Sequence, residues 1–535
     1  ILSKDYKASG VALCHRRHRG NRPSHRRASA LGTGTLQHVA RQRGDSQQCP
    51  AIETAKVLEL GCAEGGNLVP HAARFPKATF VGVDLSKVQI DAGNAHIKEL
   101  GLKNIELKHC SITDIDQKFG KFDYIICHGV ISWVPDFVRE KIFEVSAKNL
   151  SENGIAYISY NTLPGWNMIR TIRDMMLYHA KNFVTPQEKV SQSRLLLDFV
   201  KESLEGQETP YANILRSEAA LLANQSDHYL RHDHLEEDNK QFYFSEFMNE
   251  AGAHGLQYLS DCSLPSMYLG NMPKNVAEKL QGLNDIVRTE QYMDFVANRR
   301  FRSTLLCHSS VKLNRSINNE DVKKFAMSLN VVPEKKLSEV DINNNENATF
   351  YFNNNKDSNI GSTSPGLKSV LYTFAENINN PLTFDDLVKN ASSKLKGNMK
   401  EAVERDLVAN AMNLVIKGYI NLSLSSGNKD KVNMAKPKLS DLTIYQATKT
   451  NYNWVTNHLH MPIAVNIFDK FAMQYMNGKN DKEQIITNLL DDVRNGKITV
   501  NKDNQKLESD ADIKKELNNF YDDLIGRFTN AALFV

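Results

Sequence analysis

Cysteine is scarce in this 535-residue chain: seven residues, an odd number, with no pair in C-x-x-C spacing. That excludes a disulfide framework and a zinc knuckle, and leaves a reducing cytoplasm as the expected compartment. No apolar run reaches the ~18 residues of a membrane span, and no charged-then-apolar stretch forms a secretory signal. Metal-ligand spacing is also missing, with one exception. His228, His232 and His234 include an i, i+4 pair. The neighbouring Asp233, Glu236, Glu237 and Asp238 read as a solvated helix end, however, and no second histidine cluster completes a site, so no metal is expected. Acidic residues run short in one place, residues 1–50. That stretch holds eight of the 23 arginines, two lysines and two aspartates, a local +8 against −4 for the remaining 485 residues. It shows neither a helical nor a strand period. It is expected to be disordered up to about Pro50, either as a nucleic-acid-binding arm or as a segment foreign to the rest.

What is present is organised around residues 56–66, KVLELGCAEGG. Val57, Leu58 and Leu60 form a run too short for a helix and bounded by glycine, the pattern of a buried parallel strand. Glu59 sits near its end, and Gly61, Gly65 and Gly66 follow in the turn. A second strand, Thr79–Val83, closes on Asp84. A glycine turn after one parallel strand and a carboxylate after its neighbour make a nucleoside crevice, with the carboxylate placed for ribose hydroxyls. A dinucleotide fingerprint would need glycine at Ala63. Glu59 favours a ligand with a cationic amino group over a pyrophosphate, and S-adenosylmethionine carries that cation. The stretch resembles motif I of the class I methyltransferases, E/D-x-G-x-G-x-G, with Glu59, Gly61 and Gly65 in register and Ala63 as the departure.

From residue 51 strands and helices alternate. Strands are expected at Val57–Leu60, Thr79–Val83, Ile105–Lys108, Tyr124–Cys127 and Ile155–Ser159, with a later helix–strand pair at 245–259. The fold class is therefore α/β with a doubly wound sheet; the resemblance to class I methyltransferases implies a seven-stranded class I sheet with a helical insertion, and mainly helical middle and winged-helix-like C-terminal domains follow. The expected segments are 51–165 with 240–270 for cofactor binding, 166–239 as insertion, 271–340 as middle or regulatory domain, 341–358 as an asparagine-rich linker and 359–535 as the C-terminal domain. Within the last, three helices and a strand at 366–424 suggest the winged helix itself. In the insertion, Ile169, Ile172, Met175, Met176, Leu195, Leu196, Leu197, Phe199 and Val200 are numerous enough to suggest a homodimer interface.

Residues following the strands should face the crevice. His128, Gly129 and Trp133 follow the fourth strand. Ser111 and Ile112 follow the third, with Asp114 as the nearby acid for an adenine amine. Tyr160, Asn161 and Trp166 frame a Pro-Gly turn after the fifth, a candidate acceptor mouth. The expected cofactor set is Glu59, Gly61, Cys62, Ala63, Gly65, Asn67, Asp84, Leu85, Ser111, Ile112, His128 and Gly129. The expected catalytic set is Trp133, Tyr160, Asn161 and Trp166, with no assigned general base. Cys62, Cys110 and Cys127 read as buried thiols.

The joint occurrence of VLELGCAEGGNL, CHGVISWVP, YISYNTLPGW, HYLRHDHLEEDN and NRRFRSTLLCH resembles methyltransferases that carry a methyltransferase regulatory domain. Among them are rickettsial protein-lysine methyltransferases of outer membrane protein B. The resemblance covers residue 51 to the C-terminus; residues 1–50 do not match the family's Tyr- and Pro-rich start. It implies S-adenosyl-L-methionine as cofactor, a dimerisation insertion, an open cavity and transfer of methyl groups to lysines of an outer membrane protein. Two alternatives stand beside it. Nucleic-acid methylation is disfavoured because the adenine-type N/D-P-P-Y/F and the cytosine-type Pro-Cys are absent. A regulatory binding protein would use the winged-helix-like region, but the helix at 400–417 is charge-balanced and unsuited to DNA.

Overall fold

A computed structural model describes residues 51–225, 227–423, 426, 432–449, 452–502 and 505–535. The basic stretch 1–50, and the expectation that it is disordered, lie outside them. The described chain divides into two units, one ending at Asn314 and one running from Arg315 to Val535.

The first unit is built on a seven-stranded sheet. Its strands are β1 (Lys56–Leu60), β2 (Thr79–Asp84), β3 (Ile105–His109), β4 (Phe122–Cys127), β5 (Leu150–Asn161), β6 (Leu256–Asp261) and β7 (Phe301–His308). They lie in the order β3-β2-β1-β4-β5-β7-β6. The first five are parallel, and β7 runs antiparallel to both neighbours. Val57, Leu58 and Leu60 are fully buried because β1 is central and covered on both faces. Connections after β1 and β4 diverge to opposite sides, which opens a crevice beyond the carboxyl ends of these two strands. The flanking helices are α1 (Leu68–Arg74), α2 (Lys87–Glu99) and α3 (Asp136–Lys148). Helices α4 (Trp166–Ala180), α5 (Pro186–Ser203), α6 (Pro210–Ala223) and α7 (Asp227–His234) form the insertion, and α8 (Phe244–Ala253) returns the chain to the sheet. No helix among the described residues is long and apolar enough to cross a membrane.

Three expectations need correction. The stretch 271–340 is not wholly a separate middle domain, because β7 enters the first sheet between β5 and β6. Its polar start, Arg299-Arg300-Phe301-Arg302, disguises a strand whose arginine is neutralised by carboxylates on the preceding helix, α9 (Ile286–Ala297). The asparagine-rich 341–358 is not a linker. It contains β9 (Ala348–Phe352), which pairs with β8 (Val331–Pro333) and β10 (Asn359–Ser362) and buries Phe350 and Phe352. Alternating aromatics outweigh the asparagines, which occupy the turns. Tyr160 is the third correction, taken up with the site below.

In the second unit, helices α10 (Pro365–Glu376), α11 (Phe384–Ser392) and α12 (Lys400–Ile416) precede a strand at Ile420–Ser423. That strand pairs with Ala326–Leu329, which also pairs with Leu382–Thr383. Farther on, α13 (Ile467–Tyr475), α14 (Lys482–Arg494) and α15 (Asp510–Asn530) enclose a core of their own that includes Ile485, Leu489, Leu517 and Leu524.

Candidate cofactor and acceptor site

The turn after β1 supplies the first wall. Gly61 and Gly65 have φ of +72° and +76°, a region that favours glycine. At Gly61 a Cβ would also lie 2.6 Å from the Val130 Cγ2, so the β1 turn sits against the loop after β4. Ala63 takes φ +50°; its backbone wants the glycine that the motif normally has, and alanine is strained there by about 1 kcal/mol. The turn is tied to β2 because Gly61 and Cys62 N–H groups donate to the Val83 carbonyl at 2.9 and 3.0 Å.

Asp84 is fixed from both sides. Its Oδ2 accepts from the Ala63 N–H at 2.9 Å and its Oδ1 from the Ser86 N–H at 2.8 Å. Each oxygen keeps a further lone pair. Leu85 beyond it is exposed, and its carbonyl pairs with His109 Nε2 at 3.0 Å. Ser111 Oγ caps the following turn by accepting from the Thr113 N–H at 3.2 Å; Ile112 is half-buried and Asp114 exposed.

Glu59 is the unusual group. It is buried, Asn67 Nδ2 donates to its Oε1 at 3.2 Å, and its Oε2 has no partner among the described residues. Burial pushes its carboxyl up to about 8, with Asp84 adding to the shift and Asn67 opposing it. A buried carboxylate oxygen without a donor is costly. A cationic amino group brought to it would satisfy the oxygen and restore the charged form, so the residues fit S-adenosylmethionine. The thiols do not compete as nucleophiles. Burial raises Cys62, and it pushes Cys127 up to about 12. Cys110 is half-buried rather than buried.

The far wall comes from β4 and β5. His128 Nδ1 pairs with Tyr157 OH at 2.8 Å and with Ser159 Oγ at 3.1 Å, and the Gly129 N–H donates to Ser159 Oγ at 2.8 Å. The Trp133 and Trp166 rings meet edge to face, 6.1 Å apart. Asn161 is buried; its N–H donates to Ser132 Oγ at 3.0 Å.

Tyr160 does not join them. It is 0% exposed, stacks on Phe247 at 4.0 Å, and its OH pairs with Thr304 Oγ1 at 3.0 Å. Strand alternation puts it on the face opposite Ser159 and Asn161, inside the core with α3 and α8. It therefore lies in the core and not at the acceptor mouth where the sequence placed it. Among the described residues no group of three metal-ligating side chains comes together. His234 is buried, and the side chains of His228 and His232 lie outside the description.

Sequence reasoning missed the ionic cluster beneath this wall. Arg302 donates to Asp294 Oδ2 at 2.7 Å and Oδ1 at 3.0 Å, and to Glu290 Oε2 at 2.9 Å. Tyr258 OH donates to Glu290 Oε1 at 2.7 Å, Arg299 reaches Asp294 at 2.9 Å, and Asp261 lies 3.7 Å from Arg302. The arginines of NRRFR, eight and five residues after Asp294, were the available signal.

Comparison with known proteins accords with this geometry. A methyltransferase domain family model matches residues 53–227, one described as a "predicted methyltransferase regulatory domain" matches 226–308, and one described as "PKMT, C-terminal winged helix domain" matches 435–533. Protein RP789 of Rickettsia prowazekii, strain Madrid E, is 58% identical over 487 residues, 91% of this chain and 88% of that protein. The solved structure of PKMT2 from Rickettsia typhi in complex with AdoHcy has a TM-score of 0.86 at 38% identity, covering 95% of this chain and 98% of the other. This chain belongs to the class I methyltransferases that carry a methyltransferase regulatory domain. It is an S-adenosylmethionine-dependent enzyme. The regulatory stretch of this methyltransferase supplies β6, β7 and the ionic cluster, so it completes the sheet. The winged-helix match falls at 435–533, downstream of the three helices and strand at 366–424 from which the sequence suggested one.

Proposed function

We propose that this methyltransferase transfers methyl groups to lysine ε-amines of a protein, with an outer membrane protein as the substrate, in the cytoplasm. The observation that carries the reading is full-length similarity to PKMT2 combined with an aromatic corner, Trp133 against Trp166, beside the crevice. S-adenosylmethionine supplies the electrophilic methyl group. Glu59 holds its amino group, with Asn67 orienting the carboxylate, and Asp84 takes its ribose hydroxyls. The turn residues Gly61, Cys62, Ala63 and Gly65 leave room for it. Leu85, Ser111, Ile112, His128 and Gly129 line the nucleoside side. Trp133 and Trp166 receive the lysine stem and face the cationic methyl as it moves.

Free lysine titrates at about 10.4, and the attacking amine must be neutral. The like charge of a bound sulfonium beside it disfavours the ammonium and lowers that value. The remaining contribution is orientation of an in-line displacement. Peptide mapping by mass spectrometry after incubation with an outer membrane protein tests the reading: methyl increments on lysine are expected. Increments on arginine or carboxylates alone, or none, would contradict it.

Asp84→Ala is expected to weaken cofactor binding by about ten- to a hundredfold, the size of a charge-assisted hydrogen bond of about 1.5–3 kcal/mol. Unchanged affinity for S-adenosylhomocysteine in calorimetric titration would remove Asp84 from the site.

The insertion supports a homodimer as the working form. Of its apolar residues, Ile172, Met176, Leu197 and Val200 fill the insertion's own core. Tyr178 and Phe199 are 77% and 63% exposed, and with Met175, Leu196 and Tyr211 they line an apolar groove of about 610 Å³. Exposed aromatics gathered in one groove mark an interface. Sedimentation at micromolar concentration should show a dimer that Phe199→Glu dissociates; a 60.4 kDa species alone in the wild type contradicts it.

A further inference from the structure

Two buried donors at the carboxyl edge of β5 have no acceptor among the described residues. The Asn161 side chain is 3% exposed and its Nδ2 is unpaired; the Trp166 side chain is 5% exposed and its Nε1 is unpaired. Folded chains rarely leave buried donors without a partner. An asparagine amide can be reversed, but an indole N–H only donates.

Both residues meet the same turn. The Asn161 N–H bonds Ser132, and the Trp166 ring abuts Trp133. The Pro-Gly turn between them is clamped, because the Gly165 N–H donates to the Arg299 carbonyl at 3.0 Å and a Cβ on Gly165 would lie 2.3 Å from the Asn298 carbonyl oxygen. The two donors therefore stand on a rigid ledge.

What they lack is an acceptor oxygen. Glu59 Oε2, across the crevice, has the opposite need. The cofactor's carboxylate could in principle serve the donors, but it shares a carbon with the amino group assigned to Glu59. Strand β5 lies two places from β1 in the sheet, about 10 Å at the usual strand spacing. That main-chain spacing favours an acceptor not tied to β1, and the cofactor affinity of the variants below separates the two cases. A main-chain carbonyl of the protein being modified has no such tether.

We infer that Asn161 Nδ2 and Trp166 Nε1 bind a main-chain carbonyl oxygen of the methyl-accepting polypeptide next to its lysine. This rests on the protein-lysine reading and extends it: the site recognises peptide backbone as well as the amine.

The test uses Trp166→Phe, which removes the N–H and keeps an aromatic ring, and Asn161→Asp, which replaces a donor by an acceptor at equal size. Two acceptor probes are used besides a lysine-containing protein: Nα-acetyl-lysine N-methylamide, which carries the carbonyls, and 1-aminohexane, which lacks them. Wild-type enzyme should prefer the amide-bearing probe by about tenfold in kcat/KM, the size of one or two hydrogen bonds. Each variant should raise KM for protein by roughly five- to tenfold and lose the preference, with Kd for S-adenosylhomocysteine within about twofold of wild type. A matching loss of cofactor affinity would assign the donors to the cofactor, and unchanged KM would leave them without a role; either overturns the inference. If the variants do not fold, equal turnover of the two probes by wild type overturns it. Wild-type turnover on nucleic acid and not on lysine would overturn the underlying reading as well.

Discussion

Arg302→Met is expected to lower unfolding stability by about 3–5 kcal/mol, the usual result of removing one partner from a buried ionic group. The guanidinium is fully buried, held by Asp294 and Glu290, and stacked over Phe244 at 3.8 Å. Methionine fills part of the volume and leaves Glu290, Asp294 and Asp261 with Arg299 as the nearest cation. Burial raises the Glu290 and Asp294 carboxyls against the opposing pull of Arg302. Without that pull they take up protons more readily, so the deficit should shrink as pH falls from about 8 to about 5. Urea unfolding at both values checks this. A pH-independent deficit would mean that lost packing, not stranded charge, is the cause.

Glu59→Gln should trade cofactor binding for stability. In the folded, ligand-free enzyme the Glu59 carboxyl is pushed up to about 8. The stability that protonation contributes is whole below the ordinary carboxylate value and is lost as pH rises through about 8. Glutamine keeps the neutral state and an oxygen for Asn67. The variant should therefore be more stable than wild type above pH 8, by an amount of order 3–5 kcal/mol, and no more stable near pH 4. The same change removes the partner of a cationic amino group, so affinity for S-adenosylhomocysteine should fall by about ten- to a hundredfold. In the wild type, binding at pH 7 should release close to one proton, because the ligand's cation holds Glu59 ionised. Titration calorimetry in buffers of different ionisation heat measures it. Proton uptake, or a variant that binds normally, would contradict the assignment of Glu59.

The parts that were legible in the sequence are those fixed by local pattern. Val57–Leu60 must be a buried strand, Gly61 and Gly65 must turn, and Asp84 must close the neighbouring strand; all depend on residues within a few positions. The parts that were not legible depend on distant partners. Phe301–His308 is an inner strand, paired on both sides, because carboxylates at 290 and 294, and Asp261 some forty residues earlier, neutralise its arginine. Tyr160 differs from Asn161 only in strand parity, and a pattern of aromatics near a Pro-Gly turn does not say which face each takes. Phe350 and Phe352 form a core within an asparagine-rich stretch whose composition suggested none. Ala63 is the reverse case. The departure from glycine was visible at once, and its cost, a left-handed backbone on a residue with a Cβ, is local.

Transfer of a methyl group from S-adenosylmethionine to protein lysine is tested most directly by incubating the enzyme with methyl-labelled S-adenosylmethionine and three acceptors: a lysine-containing outer membrane protein, the same protein with its lysine amines carbamylated, and nucleic acid. Label should enter the first and fail to enter the other two. Equal labelling of the carbamylated protein, or labelling of nucleic acid alone, would contradict the account.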